Sequence, residues 1–122
     1  MSTLLLITSA PTSVMAWHAF GLAQALQQQH HAVRVFFYQD GVQVANALQW
    51  CPDDQRDLKH EWQKLGIRLA VCVSAALARG ITDADNAQRH ALHQHNLAQG
   101  FELVGLGELA DAVQNCTRLI QF

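Results

Sequence analysis

The feature that most constrains this chain is an alternation. Short β-branched or aromatic runs are separated by segments whose apolar residues recur every three or four positions. Residues 3–8 form an apolar run of strand length, closed by Ser9-Ala10-Pro11-Thr12-Ser13, a loop composition. Ser13 then suits the cap of a helix to about residue 29, with Met15, Leu22 and Leu26 beside Ala16, Ala19 and Ala23. The alanines let such a helix approach a sheet closely. Residues 32–38 read as a second strand, and 42–48 as a helical turn or two. Asp53 or Asp54 is the expected cap of a helix carrying Leu58, Trp62 and Leu65 and stopping at Gly66. Residues 67–73 predict a third strand and 74–78 a short helix. Thr82 or Asp83 predicts the start of a polar helix over 84–98. Residues 101–104, 107–115 and 117–122 read as strand, helix and strand.

Strands alternating with helices demand a sheet buried on both faces, because crossover helices lie above and below it. The expected fold is α/β: a single domain over residues 1–122, doubly wound, with a mainly parallel five-stranded sheet and helices on both faces. Chemistry in such sheets gathers beyond the carboxyl ends of the strands. The segments after residues 8, 38 and 73 are therefore the places to search.

Charge narrows the function. The net charge is −2 at pH 7, and the eight basic residues are scattered without a run, so no direct nucleic-acid contact is expected. Charged residues make up only 15% of the chain. That is below the roughly 25% of an ordinary soluble domain, as expected if part of the surface is covered by other subunits. No apolar stretch approaches the ~18 residues of a membrane span, and the first residues lack the basic segment of a signal peptide. Three cysteines, an odd number, point to reduced thiols and a cytoplasmic setting.

Most chemical motifs are absent. The turn after the first strand has no glycine, and Gly105-Leu106-Gly107 is followed by Glu108 where a phosphate would bind, so no nucleotide or flavin cofactor is predicted. His90 and His93 would share a face of the 84–98 helix, but no further ligand stands at metal spacing, and no metal is predicted. Asp53, Asp54 and Asp57 suit a helix start without catalysis. Cys51 and Cys116 have no evident activator. Cys72 differs, because it sits at the carboxyl end of the third strand, just ahead of a helix. There the backbone N–H groups of Val73, Ser74 and Ala75 favour a thiolate, the species that attacks sulfane sulfur. Cysteine is also a common core residue on central strands, and spacing leaves both readings open.

Three stretches carry a family resemblance. They are Val35-Phe36-Phe37-Tyr38-Gln39-Asp40-Gly41-Val42 with Ala45-Asn46, the segment from Cys72 to Ile81, and residues 96–109 with Gln121-Phe122. Over nearly its whole length the chain resembles the TusD/DsrE family of sulfur-relay proteins. The first turn departs from it, lacking a glycine-containing, tyrosine-bearing loop. The resemblance implies a DsrEFH-like fold and a sulfurtransferase that carries sulfur as a persulfide on Cys72. It implies assembly with TusB- and TusC-like homologous subunits, a homo-oligomer when the chain is alone, a TusA-like donor and a TusE-like acceptor. The sulfur would go toward 2-thiolation of the wobble uridine of tRNA, with no cofactor. The alternatives are a DsrE-type subunit in sulfur oxidation and a non-catalytic assembly subunit.

Overall fold

The computed structural model describes residues 2–122. Its strands are β1 (Ser2–Ile7), β2 (Ala32–Phe37), β3 (Leu69–Cys72), β4 (Phe101–Val104) and β5 (Arg118–Gln121), in the order β4-β3-β2-β1-β5. Every pairing is parallel, so the expected mainly parallel sheet is wholly so. The helices are α1 (Val14–Gln28), α2 (Leu58–Leu65), α3 (Val73–Ala78), α4 (Ala84–Arg89) and α5 (Leu106–Asn115). A 3₁₀ segment, Gln39–Ala45, follows β2. No helix among the described residues is long and apolar enough to cross a membrane.

The sequence order explains the layering. From β1 to β4 the chain steps across the sheet in one direction, then returns past it to β5. Right-handed crossovers put helices from the two directions on opposite faces. On the first face Phe20 of α1 meets Trp62 of α2 edge-on at 5.1 Å, and Trp62 meets Phe37 of β2 at 5.3 Å. Ala16, Ala19 and Ala23 are buried, and their small side chains allow the close approach expected of α1. Met15, placed on the same stripe by sequence spacing, is exposed instead. On the second face α5 stands over Leu4, Phe36 and Ala70, with Ala112 against them. Arg68 fixes that packing through a paired contact with Glu108 (Nη2 to Oε1, 2.8 Å) and a bond to Glu102 at 3.0 Å. Those hydrogen bonds, Glu108 first, push the Arg68 pKa above its ordinary value.

Three expected boundaries are corrected. Asp57, and neither Asp53 nor Asp54, caps α2, its Oδ1 accepting from the Lys59 N–H at 3.1 Å. Pro52 and Gln55 are tied in a turn, which keeps the earlier aspartates in the loop. The helical turns expected over 42–48 come earlier, over Gln39–Ala45, and Leu48 is exposed. The helix expected over 84–98 ends at Arg89, because residues 90–98 have no apolar stripe to bury. Asn96 instead ties that segment to backbone. Its Oδ1 accepts from the Thr82 N–H, and its Nδ2 donates to the Gly80 carbonyl, both at 3.0 Å. The stop at Gly66 is as expected, with φ at 78° in the left-handed region that glycine tolerates.

Candidate active site

The carboxyl ends of β2 and β3 are built to a tight specification. The Tyr38 N–H donates to the Ile7 carbonyl at 2.9 Å, which pins the end of β2 against β1. The chain then turns through Gln39 at φ 50°, and a Cβ on Gly41 would overlap the Ile7 carbonyl oxygen. Glycine is required there because the backbone runs against another backbone. This clamp fixes Asp40, whose Oδ1 accepts from Arg79 Nε at 3.0 Å. Arg79 also donates from Nη1 to the Ala75 carbonyl at 3.1 Å, holding its guanidinium over α3.

Cys72 closes β3 and serves as the residue before α3, which begins at Val73, one position earlier than expected. Its side chain makes no capping hydrogen bond to the N–H groups of Val73, Ser74 or Ala75. The residue is only 1% exposed, yet it lines a pocket of about 270 Å³ with Tyr38, Gln39, Ser74, Ala75, Arg79 and Leu106. Both readings of Cys72 therefore meet in one place, a thiol packed in the core whose outer side faces a pocket. The position is the switch point of the sheet. β3 and β4 are neighbours, and the helices that follow them leave toward opposite faces, opening a crevice between α3 and Leu106 of α5.

The other sequence candidates do not join this site. Cys51 lies on a separate groove of about 340 Å³ with Trp17, Trp50 and Arg56. Its Sγ faces the Pro52 and Arg56 carbonyls at 3.6 and 3.5 Å. That groove is roomier than the Cys72 pocket, and the groups around its thiol are carbonyl oxygens, which accept hydrogen bonds and donate none. Cys116 points at the Val113 carbonyl at 3.4 Å. All three thiols are free. His90 and His93 share no helix, and among the described residues no group of three or more His, Cys, Asp or Glu could hold a metal ion. Gly105 is the residue before α5, in the tight turn expected of it. Sequence reasoning missed Tyr38 and Arg79, although both lie in the stretches that carry the family resemblance. Arg79 read only as the end of a helix, since its Asp40 partner is remote in the chain.

The chain is thus a doubly wound α/β protein with a cysteine in the crevice where such folds bind their ligands. The chain belongs to the DsrE/DsrF-like family, whose model matches residues 1–122. Sulfurtransferase TusD of Klebsiella pneumoniae (strain 342) is 49% identical over 109 residues, covering 85% of each chain. Sulfurtransferase TusD of Pectobacterium carotovorum is 46% identical and covers 100% of this chain and 99% of its own. The TusD homolog of Vibrio parahaemolyticus is 46% identical over 98% of this chain and 95% of its own. Among solved structures, the ychN protein from E. coli superposes with a TM-score of 0.78 over 100% of both chains at 20% identity, a likeness of fold.

Proposed function

We propose that this protein is a sulfurtransferase subunit of a sulfur relay, folded as one domain over residues 1–122 and working in the cytoplasm. Cys72 accepts sulfane sulfur as a persulfide and hands it to a downstream carrier, toward 2-thiolation of the tRNA wobble uridine. What carries this reading is the position of Cys72, a thiol at the head of a helix and on the lining of a small pocket. The relatives named Sulfurtransferase TusD support the activity class.

The transfer balances without a cofactor. The Cys72 thiolate attacks the outer sulfur of a donor persulfide, the donor's S–S bond breaks, and the donor leaves as a thiolate. The acceptor's thiolate then attacks the outer sulfur on Cys72 and restores the Cys72 thiolate. The resting Cys72 side chain does not engage the backbone N–H groups of Val73, Ser74 and Ala75, and we assign these first-turn donors to steadying the anion once it forms. A persulfide places its outer sulfur about 2 Å beyond Sγ, so loading moves the reactive atom from the core into the pocket. The partners are a TusA-like donor, a TusE-like acceptor and TusB- and TusC-like subunits that cover apolar surface.

The test is a reconstituted relay. Donor charged with radioactive sulfur is mixed with this protein and the acceptor. Label should reach the acceptor with wild type and fail to do so with Cys72→Ser. Label that arrives without Cys72 would reject the proposal. In cells lacking the gene, loss of 2-thiouridine from tRNA is expected; intact 2-thiouridine with impaired sulfur oxidation would favour a DsrE-type role instead.

A further inference from the structure

Arg79 has no assigned task, yet it is the cation of the Cys72 pocket. Its side chain is 31% exposed, and two contacts hold it in place, Nε on Asp40 and Nη1 on the Ala75 carbonyl. A guanidinium has five N–H donors, so three are left for a ligand. Besides Arg79 and Cys72, the titratable group lining the pocket is the Tyr38 phenol, and Asp40, which is not on the lining, bonds Arg79 Nε. Leu106 of α5 and Ser74 and Ala75 of α3 add no charge. Cys72 lines the same pocket as Arg79, and a persulfide there would put its outer sulfur about 2 Å further into the shared space.

We infer that Arg79 binds the outer sulfur of the Cys72 persulfide as an anion, making the pocket selective for anionic sulfur over neutral adducts of the same size. This rests on the carrier reading of Cys72 and adds to it the charge of the cargo. The Asp40 clamp places the guanidinium in advance, so little side-chain freedom is lost on loading. Holding the sulfur anionic also guards it, since a thiolate attacks a neutral outer sulfur more readily than a charged one. The acceptor must then draw the sulfur from Arg79 or bring a proton to it.

The experiment compares two adducts of Cys72 that differ in charge. In the first, glutathione persulfide gives its outer sulfur to the Cys72 thiolate and leaves as glutathione thiolate, and the proton of the new persulfide goes to solvent. In the second, methyl methanethiosulfonate gives the neutral methyl disulfide, with methanesulfinate leaving. Each adduct is equilibrated with glutathione, and the loaded fraction is read by mass spectrometry for wild type, Arg79→Gln and Arg79→Lys. Arg79→Gln should lower persulfide loading by about tenfold, as expected for loss of one neighbouring opposite charge. The methyl disulfide should change less than about twofold, and Arg79→Lys should recover most of the persulfide loading. Should glutamine unfold the turn, Arg79→Met provides a second neutral side chain. Persulfide loading unchanged in the neutral variants, or both adducts weakened alike, would overturn the assignment while leaving Cys72 a carrier. Wild type that takes no sulfur on Cys72 would remove the carrier reading, and this inference with it.

Discussion

At the scale of single residues Cys72 is a buried residue on the lining of a pocket. Its 1% exposure would be unremarkable on a central strand, but the pocket of about 270 Å³ beside it gives small reagents a way in. Reactivity should therefore depend on reagent size. Methyl methanethiosulfonate should modify Cys72, while a bulky maleimide should modify the half-buried Cys51 and Cys116 well ahead of it, as peptide mapping would read. A bulky maleimide that reaches Cys72 first would mean that the pocket is not the only route to the sulfur. Serine at this position removes the nucleophile and buries a hydroxyl beside apolar neighbours. A cost of about 1–2 kcal/mol is expected, lowering the thermal midpoint by a few degrees without unfolding the chain.

At the scale of elements, the turn after β2 sets Tyr38 and Gln39 on the Cys72 pocket and holds Asp40 where it bonds Arg79 at the end of α3. Gly41→Ala would drive a methyl group into the Ile7 carbonyl, so the 3₁₀ segment must move. A loss of about 2 kcal/mol or more is expected in urea unfolding, with weaker sulfur loading in the folded fraction. A second tie is Asn96, which bonds Thr82, Gly80 and Asn46 Oδ1, the last at 3.1 Å. Asn96→Ala should cost about 2 kcal/mol, chiefly by leaving the partly buried Thr82 N–H unpaired. An unchanged urea midpoint would show that water replaces those bonds freely.

These two elements also mark where sequence reading succeeded and where it stopped. The strands and the strand-to-helix position of Cys72 were legible, because β-branched runs and small helix residues are local signals. The α1 cap was legible for the same reason, with Ser13 Oγ accepting from the Met15 N–H at 3.1 Å. The Asn96 tie and the Asp40–Arg79 pair were not, since their partners lie 14 or more residues away in the chain. Residues 84–98 looked helical from composition alone, and nothing local showed that Asn96 would bond Thr82 instead of continuing a helix.

At the scale of the whole molecule the two faces of the sheet are unequally covered. Among the described residues α5 is the one helix on the second face, and its Leu106 (48% exposed) and Val113 (46%) are open. Leu119 of β5, in register with Leu4, is 40% exposed. Burying these side chains in an assembly would recover apolar area at about 25 cal/mol per Å². Sedimentation should find the chain associated, alone or with TusB- and TusC-like partners, and Leu119→Lys should shift it toward monomer. A monomer at high concentration that partners do not change would contradict a surface built for assembly. The central claim, that Cys72 carries sulfur, has the most direct test in mass. The protein is incubated with a persulfide donor, digested without reductant, and mapped by peptide. An added mass of about 32 Da is expected on the peptide containing Cys72, discharged by an acceptor thiol and absent from folded Cys72→Ser. Added sulfur found only on Cys51 or Cys116, or retained by Cys72→Ser, would contradict it.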